Sequence, residues 1–180
     1  MLEFFYQTPA IGKSTKEMQL KQGRQVIGFM HIFFRQERVH HPSNDINIEV
    51  RSAQTEDIIT IEQEAFSFKD GYYKWKVYKN NQEIGEMEAP EGNLLQFQQV
   101  NVHIDDFPKI SIHEKASGKH VILDEANHPV GETKKANRFH PLKIFKRELE
   151  GYISQEHITE ITPLFYGVIH TFWCSLRDRY

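Results

Sequence analysis

The chain has 180 residues, a formal net charge of −3 and one cysteine. That length suits one well-buried core, the small net charge gives no global pull toward nucleic acid, and a lone thiol excludes an intrachain disulfide framework. Ile plus Val number 27 against 16 for Leu plus Ala; β-branched side chains are stiff at χ1 and pack well on a pleated surface, so the balance argues against a helical bundle and for sheet.

The first strand is expected over Glu3–Gln7. Pro9 and Gly12 then break the pattern, and Ser14 with Glu17 has capping-box spacing, so a short helix or a loop is expected over 14–23. Gln25–Arg35 is apolar at adjacent positions, which fits a strand buried on both faces or a buried helix; its β-branched and aromatic content favours strand. The polar segment Arg38–Asp45 contains Pro42 and reads as loop.

Clean two-residue alternation follows. Ile46, Ile48 and Val50 share one face, as do Ile59, Ile61 and Ala65, then Tyr73, Trp75 and Val77. Phe66 and Phe68 change phase, which predicts a bulge or a strand end. Leu95 and Phe97 are odd while Val100, Val102 and Ile104 are even, which predicts a second bulge at Gln98-Gln99. Ile110 and Ile112, Val121 and Leu123, and Leu142 and Ile144 continue the period. Turns are expected at Asn80-Asn81, Pro90–Asn93, Phe107-Pro108, Ser117-Gly118 and Asn127–Pro129. Ten to twelve strands result, and a sheet of that size curls, closes or splits. Val77–Glu86 and Leu123–Glu132 also resemble each other at an offset of 46 residues, both running strand, Asn-containing turn, aliphatic-Gly-Glu. Two ordinary hairpins or a duplicated unit would both give this pattern.

The ending differs in kind. Thr162-Pro163 reads as an N-cap followed by proline at the first helical position. Leu164, Phe165, Val168, Ile169, Phe172, Trp173 and Leu176 then follow helical spacing, and no charged residue occurs from Pro163 to Leu176. A helix without a charged face is buried all round, so a central helix over about 162–177 is expected. A dimerisation helix is the alternative. Trp75 and Phe97 are expected in the core.

Ten strands or more followed by a hydrophobic C-terminal helix resembles the tubby C-terminal-like superfamily, which includes tubby-like proteins, phospholipid scramblases and plant LURP-one-related proteins. The resemblance covers Tyr72–Tyr180 most clearly. It rests on the hairpins ending in Ile84-Gly85-Glu86 and Val130-Gly131-Glu132 and on the Thr162–Leu176 helix. It implies one domain over 1–180, a closed twelve-stranded antiparallel barrel around the helix, of the kind found in a small, divergent bacterial member. The chain departs from the family in having no tubby signature stretch and no acidic calcium-binding segment beside the helix.

No strong catalytic motif is present. The ten histidines (His31, His40, His41, His103, His113, His120, His128, His140, His157 and His170) include no His-x-His pair, and His113-Glu114 lacks the following His of the zinc-protease motif. Cys174 beside Trp173 reads as a buried small hydrophobe, and His170 as a satisfied core histidine. The glycines form no phosphate loop and no Gly-x-Ser-x-Gly elbow. Neither a catalytic residue nor a metal or other cofactor is expected.

Charge placement is the most informative feature. Lys134, Lys135, Arg138, Lys143, Lys146 and Arg147 fall within 14 residues, with Phe139 and Phe145 among them. Asp45, Glu49, Glu56, Asp57, Glu62 and Glu64 form an acidic stretch opposed locally by Arg51 alone. Basic clusters bind phosphate and anionic headgroups through Arg and Lys donors; alternatively, the two stretches face each other or simply solvate the barrel. The sequence expectation is a non-enzymatic scaffold that recognises anionic phospholipid or a protein partner. No nucleic acid is expected, and the location is cytoplasmic or peripheral at the inner face of the membrane. A small-molecule-binding or enzymatic barrel with an open interior, lined near His103, His113 and Glu114, is one alternative. A module dimerising through its C-terminal helix is the other.

Overall fold

The computed structural model describes residues 1–8, 14–35, 47–67, 72–89, 99–115, 119–136, 147–158 and 160–177. Twelve strands precede one helix: β1 (Leu2–Thr8), β2 (Met18–Gln22), β3 (Gln25–Phe33), β4 (Asn47–Ser52), β5 (Ile58–Ser67), β6 (Tyr72–Lys79), β7 (Gln82–Ala89), β8 (Gln99–Ile104), β9 (Ile110–Glu114), β10 (His120–Leu123), β11 (Pro129–Ala136), β12 (Arg147–Ile153) and α1 (Pro163–Arg177). Each strand pairs antiparallel with its chain neighbours. β12 returns to β1, with Leu2 opposite Ile153 and Thr8 opposite Arg147, and this closes the barrel.

Strand alternation sends one side chain in two inward. The inner wall is therefore Phe4 and Tyr6, Met18 and Leu20, Met30 and Ile32, Ile48 and Val50, Ile59 and Ile61, Tyr73, Trp75 and Val77, and onward to Leu149 and Ile153, all buried. A closed sheet of this size leaves an interior that must be filled, and α1 fills it. Thr162 Oγ1 accepts the Phe165 N–H at 3.3 Å, the expected cap, with Pro163 next. From Phe165 through Cys174 every residue is buried. Gly167 brings α1 close to β4 and β5, where a Cβ would come within 2.8 Å of Val50 Cγ2. Phe165 meets Phe4 of β1, while Phe172 and Trp173 meet His120 of β10. A helix that touches strands on several sides of the ring lies inside it, so the face proposed for dimerisation is occupied within one chain.

α1 enters beside the tight turns. Pro163 packs near Gly28 and Phe165 near Phe107. Its C-terminal end points to the opposite rim, where β1, β3, β5, β7, β9 and β11 end. No described helix is long and apolar enough to cross a membrane.

Two expectations need correction. The segment 14–23 contains the strand β2, not a helix: the Ser14 hydroxyl accepts the Lys16 N–H, Glu17 pairs with Arg51, and Met18 and Leu20 alternate into the core. In β10 the phase is opposite to that of Val121 and Leu123. His120 and Ile122 face the core, because Ile122 registers against Ile112 of β9. β12 is a strand that the alternation did not single out: Leu149 and Ile153 point inward and Gly151 hides the period between them. β3 is a strand as expected, but Phe29, His31 and Phe33 are only half-buried on its outer face. The bulge expected after Ala65 falls between Gln63 and Ala65. Phe97, Leu142, Ile144, Phe139, Phe145 and the Gln98 half of the second bulge lie outside the described residues.

The two related hairpins are β6–β7 and β10–β11, and a third shares their device. Pairing skips Ile84 before Gly85, Val130 before Gly131, and Ile27 before Gly28 in β2–β3. In all three, a Cβ on the glycine would strike a carbonyl oxygen of the next strand: His103 of β8, Tyr152 of β12 and Arg51 of β4. Glycine is used where neighbouring backbone comes this close. The device recurs every fourth strand.

Candidate functional site

Three of the six clustered cations stand on the β11–β12 pair. β11 ends on Lys134, Lys135 and Ala136, β12 begins at Arg147, and Ala136 registers against Glu148. Arg138, Lys143 and Lys146 lie outside the described residues, as does the side chain of Arg147. The hairpin stands at the rim reached by the C-terminal end of α1.

Lys134 and Lys135 diverge, since neighbours on a strand face opposite ways. Lys134 is on the outer wall, half-exposed, with Nζ 3.3 Å from Glu150 Oε1. Lys135 shares the inner face with Thr133, and its Nζ lies 5.1 Å from the Trp173 ring centroid, a cation–π contact. Below it Trp173 Nε1 donates to Thr133 Oγ1 at 2.8 Å.

Lys134 also lines a surface groove of about 460 Å³ across β2, β1, β12 and β11, with Glu3, Phe5, Lys21, Gly23, Glu150 and Tyr152. The groove forms because the β1–β2 ladder is short: only Phe5 with Lys21 and Tyr6 with Leu20 are in register. Tyr166 of α1 completes that seam. Its hydroxyl donates to the Lys21 carbonyl at 2.5 Å and accepts the Phe5 N–H. Burial pushes the Tyr166 phenol up to about 12.

Among the described residues, four carboxylates of the acidic stretch meet nearby cations. Glu49 meets Arg51 and His31, Glu62 meets Arg35, Glu64 meets Lys76, and Asp57 meets Lys79. The hydrogen bond from Lys79 holds the Asp57 carboxyl below its ordinary range, with Asn80 and Thr55 adding to it. Asp45 lies outside the described residues. Sequence order showed the Arg51 partner alone; Arg35, Lys76 and Lys79 are distant along the chain and are brought in by the fold.

The histidines separate into distinct roles. His170 is satisfied in the core: Nδ1 is 3.1 Å from Tyr6 Oη and Nε2 is 3.4 Å from Cys174 Sγ. His103 is exposed on the outer wall. His113 is half-buried there, 3.0 Å from Ser111 Oγ, and burial together with Lys115 lowers its pKa. Glu114 is half-buried at the end of β9. His120 is the one that sequence reading missed; equal apolar character at Val121 and Leu123 masked its inward position. Among the described residues no group of three or more His, Cys, Asp or Glu side chains could hold a metal ion. Comparison with family models, curated proteins and solved structures gives no match.

Proposed function

We propose that this chain is a non-enzymatic binding scaffold of the tubby C-terminal-like kind that recognises anionic phospholipid headgroups at a membrane surface. The observation that carries the reading is the hairpin. Lys134 and Lys135 end β11, Arg147 begins β12, and residues 137–146 between them hold Arg138, Lys143 and Lys146. Six cations within 14 residues of sequence, three of them on the facing ends of β11 and β12, supply donors that suit phosphate oxygens. The filled barrel adds support, because with α1 along the interior a ligand is met at the surface. Lys134 contributes less than its neighbours, since Glu150 already takes its charge.

Sedimentation with vesicles of phosphatidylserine and phosphatidylcholine tests the proposal. Binding should appear at low salt and weaken as salt rises, because surface attraction is screened within a Debye length. Each cation near an anionic surface is worth about 1 kcal/mol. The triple variant Arg138→Glu, Lys143→Glu, Lys146→Glu should therefore lose affinity by at least about a hundredfold. Absence of binding at low salt, or binding unchanged in that variant, overturns the reading.

A further inference from the structure

His120 is an ionisable group in an apolar setting. It is 1% exposed on the inner face of β10. Its ring centroid lies 3.9 Å from that of Trp173 and 4.7 Å from that of Phe172, the latter edge-on. Its Nδ1 has no hydrogen-bond partner.

The groups that face it come from three elements. From α1, among the described side chains, the rings of Phe172 and Trp173 face it. From β11 there is Thr133, in register with His120 but engaged by Trp173 Nε1, and then Lys135 on the same face. From β9 there is Glu114, its register partner. A protonated ring in this position would hold a charge against two aromatic rings, beside a lysine ammonium, with no acceptor for its new N–H. Burying a charge without a partner is strongly unfavourable.

We propose that His120 is a pH-dependent latch on the helix: neutral, it holds the last turns of α1 in the barrel mouth; protonated, it swings toward Glu114 and water and releases Trp173 and Cys174 from the rim. The sign agrees with its titration. Burial first, and Lys135 second, lower the His120 pKa from 6.5 to about 3. The released state then takes up the proton near 6.5 while the docked state refuses it. Each pH unit below 6.5 favours release tenfold, which gives about 30-fold between pH 7.5 and pH 5.

Cys174 supplies the readout, since it is the chain's one cysteine and 7% exposed beside Trp173. The test measures its labelling rate with dithiodipyridine, divided by the rate for the urea-unfolded chain at the same pH. The wild-type ratio should rise about 30-fold from pH 7.5 to pH 5, and His120→Phe should abolish the rise. His120→Gln serves if the phenylalanine variant does not fold. His170, 3.4 Å from the thiol, is present in every variant, so any effect of its own titration remains after His120 is gone. A flat wild-type ratio, or a rise that survives replacement of His120, overturns the latch. So does labelling with the same urea dependence as global unfolding, because release would then not be local.

Discussion

Tyr166→Phe removes one oxygen from the seam between β1 and β2 and should open the weakest joint of the barrel. β1 is in register with β12 from Leu2 to Thr8 but with β2 only at Phe5 and Tyr6. At that short joint the Tyr166 hydroxyl stands between the two strands, giving its proton to Lys21 and receiving one from Phe5. Its side chain is 0% exposed, so water does not replace the lost oxygen. Each buried backbone group left unsatisfied costs about 1–3 kcal/mol. Partial closure of the strands recovers some of this, which leaves a net loss of about 2–4 kcal/mol. Urea unfolding followed by far-ultraviolet circular dichroism measures the loss. Amide exchange should show the Phe5 N–H losing protection before the rest of β1. The alkaline limb gives a second signature. A pKa raised from 10.0 to about 12 contributes stability that is complete below pH 10 and disappears as pH rises toward 12. That contribution is about 3 kcal/mol in the wild type and absent from the variant. A cost below about 0.5 kcal/mol with unchanged Phe5 protection would show that the hydroxyl does not hold the seam.

Phe172 is 0% exposed within the barrel, so Phe172→Ala should cost about 3–5 kcal/mol by urea unfolding. Phe172→Glu should give no cooperative fold, whereas a folded, monomeric Phe172→Glu protein would place the helix outside. Gly151 admits no side chain, because a Cβ would meet Phe4 Cζ at 2.5 Å and the Glu132 carbonyl oxygen. Gly151→Ala should therefore cost about 1–3 kcal/mol. Phe4→Leu in the same chain should recover part of that loss, and strictly additive effects in the double-mutant cycle would rule out the Phe4 contact as a cause.

The composition and the two-residue period determined most of the strands and which of their faces turn inward. Ile48 and Val50, or Tyr73, Trp75 and Val77, are buried as their spacing demands. The helix was legible down to its cap, since Thr162-Pro163 and an uncharged run to Leu176 leave few other solutions. These signals are local, carried by neighbours along one chain segment. The tertiary structure decided what depends on register. It paired β1 with β12, put His120 inside and Val121 outside, made a strand of Met18–Gln22, and brought Lys76, Lys79 and Arg35 to the acidic stretch. It also sent the adjacent Lys134 and Lys135 to opposite faces, so the basic run is not one continuous patch over its described part. A one-residue change of phase turns a side chain from core to solvent. Where both phases carry comparable apolar groups, as in β10, only the neighbouring strands and the helix between them choose.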